Sequence, residues 1–146
     1  MTDIARTGYY FEDLALGMAA SMAKTITEAD IVAFAELTGD RNPVHMDEAY
    51  AAKTMFKGRI AHGMLTAGLI SAVFGMEMPG PGAIYVSQTL NFKAPVRIGD
   101  HVVAKVEVVE LNAEKRRARF KCVCLVNDKP VLEGEAMLMV PGRPKA

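Results

Sequence analysis

An acid and an imidazole lie close together in the segment LTGDRNPVHMDEAY, residues 37–50. Asp40 and His45 flank an Asn-Pro step, and His45 is one of only three histidines in the chain. Pro43 lacks a backbone donor and restricts Asn42 to extended geometry, so the connection between the two groups is stiff. A carboxylate and an imidazole that converge in an apolar cleft can hold a water molecule, shift each other's pKa and act as a general acid/base pair near neutral pH.

A simpler interpretation of this segment is open at this point. Aspartate and asparagine are common turn formers, so Asp40 can bracket the turn while His45 is an ordinary surface residue. The apolar helix ends predicted on either side favour partial burial of the segment, which supports the chemical interpretation.

The sequence RIAHGMLTAGL, residues 59–69, contains a second candidate site. His62 and Gly63 open a predicted helix, whose first N–H groups have no intrahelical acceptor and whose dipole is positive at this end. Because Gly63 has no side chain, a substrate carbonyl could approach its N–H, which would act as an oxyanion hole for a developing enolate. The alternative is a loop histidine before an ordinary helix start. Ser71, two turns further, is equally consistent with a small residue packed against a sheet.

Motifs for other chemistries are absent from the sequence. It contains no GxSxG, GxxxxGK[ST], GxGxxG or HExxH pattern and no Cys/His cluster, so neither a metal site nor a bound cofactor is predicted. Four basic residues could meet a phosphate, although solvated surface charges are the more common explanation: Lys57, Arg59, Lys93 and Arg97.

The composition narrows the class of protein. The chain has 146 residues, of which 51% are hydrophobic, so we assign one domain, residues 1–146, with its core at about 11–140. Lys+Arg and Asp+Glu are equal at 17 each, which argues against a nucleic-acid binder and against docking on an anionic membrane. The longest apolar stretch, residues 63–78, is shorter than the roughly 20 residues that span a bilayer.

The location of the protein is predicted from its N-terminus and its cysteines. The first residues, MTDIARTGYYFEDLALG, lack the apolar run of a secretory signal. Cys122 and Cys124 alternate with Val123 on a probable strand, where neighbours on one face are poorly placed to bond to each other. We therefore expect free, structural thiols in a cytoplasmic protein.

Helices are predicted in the first half of the chain. Residues 27–38 have an amphipathic helical pattern, with a capping box between Thr27 and Asp30. A short second helix is expected over residues 48–55. A third, from Gly63 to about residue 76, is apolar on all sides and therefore needs protein around most of it.

Four later segments alternate apolar and polar residues as strands do: residues 83–95, 101–111, 116–126 and 130–140. Short turns join them, so an antiparallel sheet with one apolar face is predicted, and the third helix is its obvious cover. This is an α+β architecture, a curved antiparallel sheet wrapped around a long central helix. Its edge strands invite pairing with a second copy, so a homodimer is expected. Both chain ends, residues 1–8 and 141–146, look loose.

Two stretches together resemble one known family. GDRNPVHMDEAYA, followed by GRIAHGMLTAGLIS, is similar to the MaoC-like hot-dog proteins, and in particular to the single-domain (R)-specific enoyl-CoA hydratases. IYVSQTLNFKAPVRIGD continues the match, which runs from about Phe11 to Val140. The resemblance implies a hot-dog fold, a homodimer with active sites near its interface, and reversible syn-hydration of a trans-2-enoyl-CoA to an (R)-3-hydroxyacyl-CoA.

The resemblance also implies a role for each candidate residue. Asp40 and His45 match the hydratase pair, and the Gly63 N–H matches the oxyanion donor. Three further residues of these motifs are predicted to support the site: Asn42, His62 and Ser71. No metal or redox cofactor is implied, because the thioester itself activates the alkene, and CoA enters as part of the acyl-CoA substrate.

Two other functions stay open. A hot-dog thioesterase would direct water at the thioester carbonyl instead of the alkene, and a non-catalytic module would bind acyl-CoA or lipid without turnover. A histidine paired with the aspartate favours hydration over both, since a binding module has no use for a water-activating pair. The acyl-chain length and the pathway, whether polyhydroxyalkanoate precursor supply, fatty-acid breakdown or another acyl-CoA route, are left open as well.

Overall fold

An antiparallel sheet of six strands forms the frame of the protein in the computed structural model, which describes residues 8–145. Its strands are β1 (Ala19–Thr25), β2 (Ile84–Gln88), β3 (Asn91–Phe92), β4 (His101–Asn112), β5 (Arg117–Val126) and β6 (Lys129–Met139). They lie in the order β1-β4-β5-β6-β2, and β3 also pairs with β6. The predicted antiparallel sheet is therefore confirmed.

The helices precede most of the strands, as the sequence predicts. They are α1 (Glu28–Thr38), α2 (Pro43–Met46), α3 (Glu48–Ala52) and α4 (Gly63–Met76), after a 3-10 turn at Phe11–Asp13. At the start of α1, Thr27 Oγ1 accepts from Asp30 N at 3.1 Å, and the Asp30 carboxylate accepts from Thr27 N at 2.9 Å, which is the expected capping box. Across residues 8–145, no helix is both long enough and apolar enough to cross a membrane.

The core lies between α4 and the inner face of the sheet. Ile70, Val73 and Phe74 of α4 are buried there, and Phe74 meets Phe120 of β5 edge-on with 4.9 Å between ring centroids. Three strands contribute the opposite wall: Val102, Ala104, Val106, Val108, Ala118, Phe120, Cys122, Cys124, Leu132, Ala136 and Leu138. These are the inward faces that the alternating patterns predict.

One face of α4 is uncovered, which differs from the expectation of protein on most sides. Met64 and Met76 are 56% and 70% exposed, and Gly68 and Ser71 are exposed between them. The sheet covers only one side of the helix because it is open at its β2 edge, where Ile84 is also exposed. The single chain therefore presents an apolar helix face beside an edge strand.

The sheet edges differ most from the prediction. The segment that forms β1, AASMAKT, has no apolar alternation to signal a strand, and most of its residues are exposed; hydrogen bonding to β4 makes it one. The first of the four predicted strands is interrupted by a register shift between Tyr85 and Ser87 and resumes only at β3. Ile84, Val86 and Phe92 are exposed, so the expected inner face of this segment is wrong.

The C-terminal segment is held in place, so the expectation of a loose end is wrong there. Phe11 N donates to Pro141 O at 2.8 Å, and Arg143 N donates to a Glu12 carboxylate oxygen at 2.7 Å. These contacts tie residues 141–143 to the start of the chain. The matching expectation for residues 1–7 lies outside the described residues.

Cys122 and Cys124 are free and buried, as predicted. Burial raises the pKa of Cys122 to about 11 and that of Cys124 to about 12. Both thiols are therefore protonated at neutral pH and are poor nucleophiles, so they take no part in the candidate chemistry.

Candidate active site

Asp40 lies in the turn that ends α1. Gly39 adopts the left-handed conformation, with φ 83°, and its N–H donates to Ala35 O at 2.8 Å, so the chain leaves the helix at once. Asp40 N donates to Thr38 Oγ1 at 3.2 Å, and Asp40 Oδ1 accepts from Asn42 N at 3.2 Å. The carboxylate thus brackets the turn, as the simpler interpretation has it, and the same hydrogen bond restricts its orientation.

His45 lies in α2, two residues after Pro43. Asn42 caps this helix, since its Oδ1 accepts from Val44 N at 3.0 Å, and Pro43 occupies the first position. His45 Nδ1 donates to Ile60 O at 2.8 Å. Because a carbonyl oxygen can only accept, the proton lies on Nδ1, and Nε2 keeps its lone pair.

The pKa of His45 is lowered from its ordinary value of 6.5, chiefly because partial burial disfavours the charged ring. The hydrogen bond to Ile60 O raises it, neighbouring His62 lowers it, and the Asp40 carboxylate raises it to a smaller extent. The imidazole is therefore mostly unprotonated at neutral pH, with Nε2 ready to accept a proton.

His62 packs against His45 at the start of α4. It is the N-cap residue of that helix and only 2% exposed. Its ring stacks on the His45 ring, with 3.9 Å between centroids and 28° between planes, and it also contacts the Phe34 ring of α1 at 4.7 Å. His62 Nε2 lies 2.9 Å from Asp40 O and donates to it.

The structure brings Asp40, His45 and His62 together. Each offers one polar atom, a carboxylate oxygen or an imidazole nitrogen, and the three atoms lie within 4.8 Å of one another. One water molecule can make hydrogen bonds of about 2.8 Å to two groups at such a separation. The side chains of Asp40 and His45, on either side of the turn at Pro43, therefore converge as expected. Their catalytic roles stay predictions.

The same three side chains could hold a metal ion as far as distance alone is concerned. Two of the four imidazole nitrogens, however, face the carbonyls of Ile60 and Asp40. The two rings are also stacked, so an ion in the plane of one ring would lie off the plane of the other. This geometry suits proton transfer better than coordination, and the expectation of no metal stays a prediction.

Gly63 is the first residue of α4, so its N–H has no acceptor within the helix. A Cβ here would lie 2.6 Å from Phe92 Cε1, so any side chain would have to displace the Phe92 ring. Gly63 and His45 line one cavity of about 600 Å³. The rest of its wall is mainly apolar: Met55, Phe56, Ile60, Met64, Phe92, Val96, Val131 and Leu132.

Ser71 lies elsewhere in the single chain. It is exposed on the uncovered face of α4 and lines a separate depression of about 420 Å³ with Tyr85 and Gln88. Only Met64 belongs to the wall of both this depression and the cavity of His45. The structure thus does not bring Ser71 to the Asp40–His45 pair within one chain, and its supporting role stays a prediction.

Arg59 has a structural part in the site that the sequence does not reveal. Its Nε donates to His45 O at 2.6 Å, its guanidinium pairs with Glu28 of α1, and its side chain is only 12% exposed. It therefore braces the His45 backbone and is not a solvated charge awaiting a phosphate. Its partners lie 14 and 31 residues away, so no local pattern could have shown this.

The other basic candidates fall into different places. Arg97 donates to Phe56 O, which ties down the loop on one side of the cavity. Lys93 lines the cavity itself, and Lys57 is exposed.

Residues 16–129 match the family model described as MaoC like domain. The chain belongs to the MaoC-like family. It is 60% identical to a 3-hydroxybutyryl-CoA dehydratase of Methylorubrum extorquens, over 94% of this chain and 87% of that relative. It is 59% identical to an (R)-specific enoyl-CoA hydratase of Rhodospirillum rubrum, over 92% of this chain and 94% of that relative.

Two solved structures support the same relationship. The R-hydratase PhaJ1 from Pseudomonas aeruginosa, in its unliganded form, superposes on this MaoC-like chain with a TM-score of 0.88 at 44% identity, covering 93% of this chain and 88% of that one. The (R)-hydratase from Aeromonas caviae involved in PHA biosynthesis gives 0.86 at 40% identity, covering 89% and 99%. The resemblance seen in the motifs and the expected hot-dog fold are confirmed.

Proposed function

We propose that this MaoC-like protein is an (R)-specific enoyl-CoA hydratase, a hydro-lyase that adds water reversibly to a trans-2-enoyl-CoA. The observation that carries the proposal is the convergence of the Asp40 carboxylate and the His45 imidazole, within 4.8 Å, beside the first turn of α4. The names of the relatives, a 3-hydroxybutyryl-CoA dehydratase and an (R)-specific enoyl-CoA hydratase, support the substrate class and the stereochemistry.

Asp40 and His45 hold the attacking water between them. His45 Nε2 is the available base, since its Nδ1 proton is committed to Ile60 O and its lowered pKa keeps the ring unprotonated. The Asp40 carboxylate accepts the second hydrogen bond of the water and orients it. As the water oxygen bonds to the β-carbon, the proton that it loses passes to the pair.

The electrons of the alkene move toward the thioester carbonyl in the same step, which gives an enolate. The Gly63 N–H, at the positive end of α4, donates to that developing oxyanion. The pair then returns one proton to the α-carbon from the side on which the water entered, so the addition is syn. The addition changes no overall oxidation state, and the conjugated thioester itself activates the alkene, so the proposed steps use no metal or redox cofactor, and CoA enters as part of the substrate.

The cavity suits an acyl thioester. Its volume of about 600 Å³ lies within the range of roughly 300–1,000 Å³ that is usual for small-molecule sites. Its wall is apolar except at His45, Thr66 and Lys93, so it can receive alkyl carbons while the reacting atoms lie near His45.

We also infer a homodimer. The uncovered face of α4 adjoins β2, an edge strand whose unpaired backbone groups invite a second copy. A partner on this surface would cover Met64 and enclose Ser71, which is otherwise exposed. Sedimentation should give about twice the 15.8 kDa mass of the chain, and a monomer would contradict the inference. The two free, protonated thiols fit a reducing compartment, so we place the protein in the cytoplasm.

Crotonyl-CoA tests the proposed function. The absorbance of the conjugated thioester should fall as water adds, and chiral chromatography of the hydrolysed product should give the (R)-acid. A thiol reagent added in parallel should detect no CoA release from crotonyl-CoA or from saturated butyryl-CoA. Thiol release without loss of the alkene would make the protein a thioesterase, and tight binding without either reaction would make it a binding module.

A further inference from the structure

We propose that His62 is the positioning residue of the catalytic pair: its buried ring is the surface against which His45 is held, and its N–H holds the backbone of Asp40. The inference rests on the proposed function, because it concerns the Asp40–His45 pair. It gives a task to a buried histidine that the hydration steps themselves do not use.

The stacking contact restricts the His45 ring. The two imidazoles lie nearly face to face, 3.9 Å apart between centroids, while His45 Nδ1 is bound to Ile60 O. The hydrogen bond alone would leave the ring free to rotate about that bond, and the stack removes this freedom. The His62 ring is itself held by packing, since Phe34 of α1 contacts it with 4.7 Å between centroids.

The hydrogen bond at the other end of the ring restricts Asp40. His62 Nε2 donates to the Asp40 carbonyl at 2.9 Å, at the point where the chain leaves α1. One side chain therefore contacts both members of the pair, His45 through its ring face and Asp40 through its N–H. Because His62 is the N-cap of α4, it also ties both of them to the helix whose first N–H is the oxyanion donor.

The remaining nitrogen determines which form of His62 can do this. Among the described residues Nδ1 has no hydrogen-bond partner, and the residue is only 2% exposed. The bond to the Asp40 carbonyl, which can only accept, requires a proton on Nε2, so the Nε2–H form is the one that holds Asp40. The carboxylate and guanidinium groups near His45 are those of Asp40 and of the Arg59–Glu28 pair.

Neither His62 nor Asp40 lines the cavity, but Asp40 is exposed and can reach the attacking water, whereas His62 is only 2% exposed and is enclosed by protein. His62 therefore does not touch the substrate. A group of this kind should influence the rate of the bound complex and leave substrate binding nearly unchanged. Displacing a catalytic group by about 1 Å can cost about 100-fold in rate.

Two variants separate the two contacts. His62→Phe keeps a flat ring under His45 and loses the N–H bond to Asp40, whereas His62→Gln keeps a donor and loses the ring. His101→Gln is the matched control, since His101 is exposed at the start of β4 and its Nδ1 lies 3.1 Å from Thr25 Oγ1. Each His62 variant should lower kcat for crotonyl-CoA hydration at least about tenfold and change KM less than about twofold. The control should match the wild type.

The pH profile distinguishes positioning from a purely structural role. In both variants the acidic limb of kcat/KM should move to higher pH, because His62 no longer lowers the pKa of His45. A uniform loss of rate with an unmoved limb, or a wild-type kcat in both variants, would overturn the inference. If His62→Phe and His62→Gln keep wild-type kinetics while Asp40→Asn is inactive, the positioning role is wrong and the hydratase stands. If the wild type does not hydrate crotonyl-CoA, the proposed function itself fails.

A measurement on the wild-type protein covers the case in which a variant does not fold. With only three histidines, the ring nitrogen signals in a ¹⁵N spectrum can be assigned with the help of His101→Gln. We expect the Nε2–H form at His62 and the Nδ1–H form at His45 near pH 7.5. The Nδ1–H form at His62 would contradict the bond to Asp40 and with it the inference.

Discussion

Replacing both members of the Asp40–His45 pair should cost about as much activity as replacing either one. A positioned acid/base group typically contributes about 10²–10⁴-fold in rate, or about 3–5 kcal/mol of transition-state stabilisation. The two groups lie within 4.8 Å of each other, and in the proposed mechanism they share one water, so removing either should leave the other without a correctly held nucleophile. The Asp40→Asn/His45→Gln double variant should therefore lose about 10²–10⁴-fold, and not the product of the two single losses.

The structure indicates that these substitutions spare the fold. Asn at position 40 keeps an oxygen to accept from Asn42 N, which Asp40 now does at 3.2 Å. Gln at position 45 has an amide that can still donate to Ile60 O. One altered hydrogen bond changes stability by about 1 kcal/mol, so thermal melting of each variant should remain close to that of the wild type.

Initial rates with crotonyl-CoA, measured for the wild type, both single variants and the double variant, complete the cycle. Near-normal rates in the two single variants would show that the pair is not the catalytic machinery. Losses that multiply in the double variant would show that Asp40 and His45 act at separate steps, which would refute the shared water even if both matter.

Three further predictions follow from particular contacts. Because the pKa of His45 is below 6.5, the acidic limb of kcat/KM should have its midpoint below pH 6.5. The unfolded chain binds this proton more readily than the folded one, so His45 should also make the free energy of unfolding fall as pH decreases below 6.5. Thermal melting of His45→Gln should lack this contribution. Gly63→Ala should lower kcat by forcing the Phe92 ring away, and Phe92→Ala in that background should restore part of the rate if the clash is the cause. Phe120→Ala removes a fully buried ring and should lower the free energy of unfolding, measured in urea, by about 3–5 kcal/mol. A much smaller loss would show that the core collapses around the gap.

The sequence predicts the middle of the sheet well and its edges poorly. Residues of β4 such as Val106 face the core from a central strand, so their alternation is set by the same burial that stabilises the strand. The segment of β1 has no such face, and pairing with β4 alone makes it a strand. The segment of β2 is apolar, yet Ile84 and Val86 are exposed, because its apolar residues lie at an open edge and not toward the core. Alternation therefore reports burial in the central strands and is unreliable at the edges of the sheet.

The site shows the same division between local and distant contacts. Asp40 and His45 are predicted as partners because five positions and a proline separate them, which is a local relationship. What orients them is not local: His45 is held by a backbone carbonyl 15 residues away and by Arg59, and Asp40 by a histidine 22 residues away. Every residue has a backbone carbonyl, so the sequence does not show that the carbonyl of Ile60 binds His45 Nδ1 and leaves His45 Nε2 free. The sequence can therefore name the two groups that we propose act on water, whereas the nitrogen of His45 that is left free depends on how α1, α2 and α4 meet.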